Sequence, residues 1–191
     1  MTELLLTLIS AALVNNIVLH QALAIDPLLQ PVAPAQRSRV HALGLATLVM
    51  MVLAVVPGQL LFRYGLQPLQ LDYLRLFVFL PLCVLLTAPV LSVLQRQLPH
   101  WPFNGLTPLL LGNAAVLGLA LQASDATLEP LATLAVSLGS GLGFWLVLCL
   151  FDDLHPRSDA APMALRGLPI DLIGAGIMAL AFLGFNGLFS S

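Results

Sequence analysis

Six long apolar segments constrain the fold of this chain more than any other feature of its sequence. A helix that crosses a hydrocarbon core of about 30 Å needs roughly 20 apolar residues. With 59% hydrophobic and only 8% charged residues, the chain cannot surround a soluble core with a charged surface. We therefore expect an all-α integral membrane protein with six transmembrane helices. The segments run approximately over Leu4–Ile25, Val40–Phe62, Leu74–Leu94, Leu106–Leu121, Leu131–Phe151 and Pro169–Phe189.

A short pattern occurs in the first segment and again in the fourth. Leu13–Leu23 and Leu111–Leu121 have the same residue at six of eleven aligned positions, and this alignment pairs Asn15 with Asn113. Since the copies lie in the first and fourth spans, three spans apart along the chain, the second copy enters the bilayer in the opposite direction. We expect one membrane domain over residues 1–191, with inverted three-helix repeats over about 1–95 and 104–191. Helices one and four are expected to be broken near the midplane, where such repeats form their functional sites.

Polar residues inside these two segments are the candidate site. An amide in hydrocarbon is costly without a partner, so Asn15, Asn16 and Asn113 should face protein. Interhelical hydrogen bonding and a share in a midplane functional site both explain them. His20 follows Asn16 by one helical turn, as a packing residue or as a proton or electron carrier.

The arginines indicate the orientation of the chain. Five of them follow spans one, three and five, whereas only Arg63 and Arg75 lie on the other side. By the positive-inside rule the first group is cytoplasmic, so we expect a multi-pass protein with both termini in the opposite compartment. The five are Arg37, Arg39, Arg96, Arg157 and Arg166.

Other polar and small residues have simpler interpretations. Gly139 and Gly143 favour close helix packing, and Asp152 and Asp153 are expected to be solvated at the end of span five. Cys83 and Cys149 lie in apolar stretches without zinc-type spacing or a disulfide framework, and are expected to be buried thiols. With no Lys and a net charge of −2, nucleic-acid binding has no electrostatic support.

Four stretches of the sequence together resemble one family. They are LLLTLISAALVNNIVL at residues 4–19, YLRLFVF at Tyr73–Phe79, GLGFWLVLCLF at Gly141–Phe151 and RGLPIDLIGAGIMALAFLGFNGL at Arg166–Leu188. The chain is similar over its whole length to the A-type subunits of Rnf ion-translocating oxidoreductase complexes, which are homologous to the E-type subunit of sodium-translocating NADH:quinone reductase. The resemblance implies partners: a six-span sister, which is the E-type subunit of the Rnf complex, together with flavin-bearing and iron–sulfur subunits.

The same resemblance implies a 2Fe–2S cluster held in the membrane between the A-type and E-type subunits, to which each contributes two cysteines. At the two matching positions this chain has Asp26 and Ala114 instead of cysteine. Thiolates hold such clusters because soft sulfur donors suit iron, and Ala114 has no donor atom. Cys83 and Cys149 lie outside the matching motifs.

Two functions of different classes follow. The first is a membrane subunit of an Rnf-type complex that couples electron transfer to ion translocation. The second is a cluster-less scaffold, or a paralogue that conducts ions or small solutes, in which Asp26 marks an ion path. An autonomous enzyme has no support, because no recognisable spacing brings together a nucleophile, a base and an oxyanion donor.

Overall fold

The computed structural model describes residues 2–21, 37–125, 128–158, 162 and 165–187, and all regular structure within these ranges is helical. The α-helices, numbered in chain order, are α1 (Thr2–Ile9), α2 (Ile17–Gln21), α3 (Arg37–Leu61), α4 (Arg75–Gln97), α5 (Thr107–Leu111), α6 (Ala114–Asp125), α7 (Pro130–Ser158) and α8 (Leu168–Leu183). Two π-helical turns, Ser10–Val14 and Phe62–Leu66, continue α1 and α3. Short 3₁₀ turns at Asp72–Leu74 and Gly184–Gly187 precede α4 and follow α8.

Four helical stretches are long and apolar enough to cross a membrane. They are Arg37–Leu66, Asp72–Gln97, Thr107–Asp125 and Pro130–Leu154, and they correspond to the expected spans two to five. The expected first and last spans are represented by the shorter apolar helices Thr2–Val14 and Leu168–Leu183. The prediction of an all-helical membrane protein is confirmed at this level.

The centre of the bundle is the contact between α3 and α7. A Cβ atom on Gly141 would lie 2.9 Å from the Cα of Leu48, and a Cβ atom on Gly44 would collide with the ring of Trp145. Helices in a bilayer associate through close packing rather than through the hydrophobic effect, and small residues let their backbones approach. These two glycines therefore set the distance between the central helices.

The remaining helices pack around this pair. The first helix lies on α7, whereas α6 lies on α3; α4 contacts α3, α5 and α6, and α8 contacts α7 and α2. The prediction for Gly139 and Gly143 is confirmed, because a Cβ on Gly139 would collide with the carbonyl oxygen of Leu8 and one on Gly143 would lie 2.5 Å from that of Ala12.

Ion pairs mark the two ends of the bundle. Arg37, at the start of α3, donates to Asp153 at 2.9 Å and lies 3.8 Å from Asp152; Asp153 is exposed to solvent as expected, whereas Asp152 is half-buried. At the opposite end, Arg75 at the start of α4 pairs with Asp125 at the end of α6.

The outer faces of α4 and α8 are apolar. Phe77, Leu85 and Leu180 are among the most exposed hydrophobic side chains of the described residues, each about 70% accessible. Such faces suit hydrocarbon chains or another membrane helix rather than water.

Candidate functional site

The first helix is interrupted at Asn15 and Asn16. The π-helical turn Ser10–Val14 ends where the backbone N–H of Asn15 donates to the carbonyl of Ser10, and α2 begins at Ile17. Asn16 is buried, and its Oδ1 accepts hydrogen bonds from the backbone N–H groups of Val18 at 3.1 Å and Leu19 at 3.4 Å. This amide caps the second half of the helix in the usual manner of an N-terminal Asn.

The amide nitrogen of Asn16 is also used within the same helix. Its Nδ2 donates to the carbonyl of Ala12 at 2.9 Å. This hydrogen bond connects the residue that caps α2 to the helical turn before the interruption. Gly143 of α7 lies directly against this arrangement, since a Cβ there would be 2.7 Å from Asn16 Nδ2. The first interruption is therefore closed by its own hydrogen bonds and fits against a helix that has no side chain at the contact.

The fourth segment is interrupted at Gly112 and Asn113. Helix α5 ends at Leu111 and α6 begins at Ala114. The Oδ1 of the buried Asn113 accepts a hydrogen bond from the backbone N–H of Ala115 at 3.1 Å, while its Nδ2 donates to Thr47 Oγ1 of α3 at 3.3 Å. The second interruption is thus capped in the same way but is also bonded to a neighbouring helix.

The equivalent residues of the two interruptions are Asn16 and Asn113. Each immediately precedes the second half of its helix, and each caps the backbone N–H two residues further on. The sequence alignment, which paired Asn15 with Asn113, is therefore wrong by one residue. Asn15 itself is exposed and makes only a long contact of 3.5 Å from Nδ2 to Ser10 Oγ.

Each interruption borders a small cavity, and the two cavities have matching walls. A cavity of about 230 Å³ lies between residues 110–117 and the α4 side chains of Leu80, Cys83 and Val84. A cavity of about 210 Å³ lies between the first interruption and α8, with His20 and Asn16 on one side and Phe182 on the other.

A larger groove of about 520 Å³ lies between the first half of the first helix, α6 and α7. Hydroxyl and amide groups from all three elements line it together with apolar side chains. The polar residues are Thr7, Ser10, Asn15, Gln122 and Ser140. The side chain of Asn15 thus faces this groove rather than the helix contact that Asn16 occupies.

Of the two positions where the family has cluster cysteines, the structure describes only residue 114. Ala114 is exposed at the first residue of α6 and shares the 230 Å³ cavity with Cys83. Asp26 lies outside the described residues. In the described part of the chain, no three His, Cys, Asp or Glu residues come together as a set of metal ligands.

Sequence reasoning missed the partners of these residues. Thr47 is one Thr in an apolar helix. Gln122 is remote in sequence from Asn15, with which it lines the groove, and Cys83 is remote from Asn113, with which it lines the smaller cavity, so only the folded structure brings them to the site. Cys83 and Cys149 were expected to be buried and are instead half-buried free thiols. The prediction that Asn15, Asn16 and Asn113 face protein is confirmed for Asn16 and Asn113 by their burial and is wrong for Asn15, which is exposed.

Comparison with known proteins agrees with this architecture. The family described as "Rnf-Nqr subunit, membrane protein" matches residues 4–189. The chain is 38% identical over 193 residues to the A-type subunit of the ion-translocating oxidoreductase complex of Pseudomonas aeruginosa (strain LESB58), with 98% of both chains covered. It is 37% identical to the corresponding subunits of the complexes of Alcanivorax borkumensis and Syntrophotalea carbinolica, again over 98% of both chains. The chain therefore belongs to the Rnf-Nqr family of membrane subunits.

Proposed function

We propose that this chain is the A-type membrane subunit of an Rnf-type complex that couples electron transfer to ion translocation. The observation that carries the proposal is the similarity to named A-type subunits over 98% of both chains, at 38% identity. In this role the chain assembles with a six-span sister of the E type and with flavin-bearing and iron–sulfur subunits.

The proposed fold is a single membrane domain of six spans in two inverted repeats. The helix contacts support this fold, because each contact made by a helix of one half has a counterpart made by the corresponding helix of the other half. The first interrupted helix lies on α7 as the second lies on α3, and α8 borders the first interruption as α4 borders the second. The matching caps of Asn16 and Asn113 support the same symmetry.

The proposed location is the bacterial inner membrane with both termini in the periplasm. Arg37 and Arg39 lie at the same end of the bundle, where His41 contacts Trp101 of the segment that follows α4. Arg63 and Arg75 belong to the opposite end, which holds the Arg75–Asp125 pair. This distribution favours a cytoplasmic position for the Arg37 end under the positive-inside rule.

The residues of this chain do not fit the 2Fe–2S cluster of the family. Such a cluster requires thiolate ligands, and the Ala114 methyl group cannot replace one. Cys83 is the one thiol in the wall of the adjoining cavity, and it lies on a different helix from residue 114. We therefore assign no electron-transfer step to a cluster held by this chain.

The second candidate function is a cluster-less paralogue that serves as scaffold or conducts ions. The polar groove of about 520 Å³ favours ion conduction, because hard cations prefer oxygen ligands and the groove presents hydroxyl and amide oxygens beside an interrupted helix. The two candidates share the same assembly and differ in whether electrons pass through the pair of A-type and E-type subunits.

The test is anaerobic purification of this chain together with its six-span sister, followed by assays of iron, acid-labile sulfide and the EPR spectrum of the reduced sample. A matched control is the double variant Asp26→Cys and Ala114→Cys, which restores both family thiols. We expect a stable pair without a cluster for the natural chain and a reduced-cluster signal for the double variant.

Each outcome separates the candidates. A cluster in the natural pair would show that replacement ligands exist and would contradict the assignment above. A stable cluster-free pair whose control regains the cluster would support the assignment above and would leave scaffold or ion conduction as the role of this chain within the complex. Failure of the chain to associate with its six-span sister would contradict membership of the complex itself.

A further inference from the structure

A histidine and a cysteine that are remote in sequence meet at the Arg37 end of the bundle. His41 lies on the second turn of α3, and Cys149 lies near the end of α7. The cysteine Sγ and the histidine Nδ1 are 3.7 Å apart. Trp145, one turn before Cys149, donates its indole N–H to the same His41 Nδ1 at 3.1 Å.

The aromatic surroundings leave this pair open to solvent on one side. The His41 ring lies 6.0 Å from the Trp145 ring and 6.5 Å from the Trp101 ring, between centroids. His41 itself is exposed and Cys149 is half-buried. An ion arriving from the aqueous phase therefore has access to both donor atoms.

The separation of these two atoms matches one edge of a tetrahedral metal site. Zinc binds thiolate sulfur at about 2.3 Å and imidazole nitrogen at about 2.0–2.1 Å, and a tetrahedral angle then places the two ligand atoms about 3.6 Å apart. The observed 3.7 Å requires almost no rearrangement. We propose that His41 Nδ1 and Cys149 Sγ bind a thiophilic divalent cation, with Zn²⁺ as the representative ion.

The charge around the pair favours a cation. Asp152 and Asp153 follow Cys149 on α7, and both carboxylates share the single guanidinium of Arg37. Because no third His, Cys, Asp or Glu of the described residues completes a ligand set, the proposed site is open, and water would have to supply the remaining ligands. A bound ion would join α3 to α7 at the Arg37 end of the bundle.

The chemistry of binding is a proton release and an exchange of hydrogen bonds. The Cys149 thiol loses its proton to solvent and forms the metal–thiolate bond. Neutral His41 keeps its proton on Nε2 and offers the Nδ1 lone pair to the metal, so the indole N–H of Trp145 must give up its acceptor. Trp145 therefore competes with the ion for one nitrogen atom.

The test uses the full chain in detergent micelles titrated with Co²⁺, which gives a sulfur-to-cobalt charge-transfer band when a thiolate binds it. The chain has two cysteines, so Cys83→Ser is the matched control for Cys149→Ser. We expect the band in the natural chain and in C83S, with one ion per chain, and its displacement by Zn²⁺. C149S should lose the band, and H41Q should weaken binding at least about tenfold.

Trp145→Phe distinguishes metal binding from a purely structural role of this contact. If the contact were only structural, the substitution would not increase the affinity for the ion. Because it removes the competing donor and keeps an aromatic ring, we expect binding about threefold to tenfold tighter, as one hydrogen bond no longer has to be broken. Gel-filtration profiles and unfolding midpoints of all variants show whether each one is folded.

Four results would overturn the proposal. They are absence of the band at millimolar Co²⁺ in the natural chain, its persistence in C149S, its loss in folded C83S, and unchanged affinity in folded H41Q. Tryptophan fluorescence gives an independent readout, since both tryptophans of the chain contact His41 and binding at this site should alter their emission.

Discussion

The two interrupted helices have the same cap but are held by different means. Both amide atoms of Asn16 form hydrogen bonds within its own helix, and the neighbouring α7 contacts it with the backbone of Gly143, which has no side chain. Asn113 uses half of its amide as a cap and the other half on Thr47 of α3. The first interruption is thus held against α7 by close packing, and the second is held against α3 by a hydrogen bond.

This difference shows which feature the two interruptions share and which feature differs between them. The cap is needed at both places, because a helix that begins inside a membrane protein has backbone N–H groups that need acceptors. The means of attachment to the neighbouring helix is free to differ. A substitution that disturbs only the close packing, or only the interhelical hydrogen bond, should therefore affect one interruption and not the other.

The largest expected effect is that of Gly143→Leu. The added side chain would overlap the backbone of Ala12 and the amide of Asn16, which are not free to move aside. We expect destabilisation of about 1–3 kcal/mol or more, measured by reversible unfolding in mixed micelles. Gly176→Leu is the matched control, since no atom lies within 4 Å of a Cβ at that position. Equal effects of the two variants would contradict positioning by close packing.

The next effect is the loss of either cap. Asn16→Ala and Asn113→Ala each leave buried backbone N–H groups without an acceptor, which costs about 1–3 kcal/mol. The measurement is the same unfolding equilibrium. A neutral result for Asn113→Ala beside a large one for Asn16→Ala would mean that the two caps are not equivalent.

Thr47→Val should have a smaller effect that is confined to the second interruption. Valine keeps the shape of the side chain but cannot accept the hydrogen bond from Asn113 Nδ2. We expect a loss of about 0.6–1 kcal/mol, the usual value for such bonds in membrane proteins. In double-mutant cycles Thr47→Val should couple to Asn113→Ala and not to Asn16→Ala. Coupling to both would remove the distinction drawn above.

The smallest effect is expected for Asn15→Ala. Its side chain is exposed and makes only the 3.5 Å contact with Ser10, so the change in unfolding free energy should stay within about 0.5 kcal/mol. This variant tests the register of the repeat directly. An effect as large as that of Asn16→Ala would restore the alignment that pairs Asn15 with Asn113.

Much of the architecture was predictable because membrane constraints act on composition and spacing. Apolar length revealed the helices, and an Asn in each of two apolar segments revealed both interruptions. Gly139 and Gly143 were identified as packing residues for the same physical reason that the structure shows. These features depend on local sequence and on the bilayer, not on the details of tertiary contact.

What escaped prediction depends on atoms that the fold brings together. The register was wrong because Asn15 and Asn16 are identical in type, and only the cap distinguishes them. Likewise, Cys149 and His41 are 108 residues apart in sequence, yet the packing of α3 against α7 places them side by side. Sequence separation says little about proximity where helices cross.

The glycines of α7 have a mechanical consequence. Gly139 and Gly143 lie on one face against the first helix, whereas Gly141, about 200° around the axis from each of them, lies against α3. A Cβ atom at each of these positions would come within about 3 Å of the backbone of the neighbouring helix, so α7 acts as a thin partition between the first helix and α3. A sliding movement of the first helix would be transmitted through it to α3, and from there to Thr47 and the second interruption.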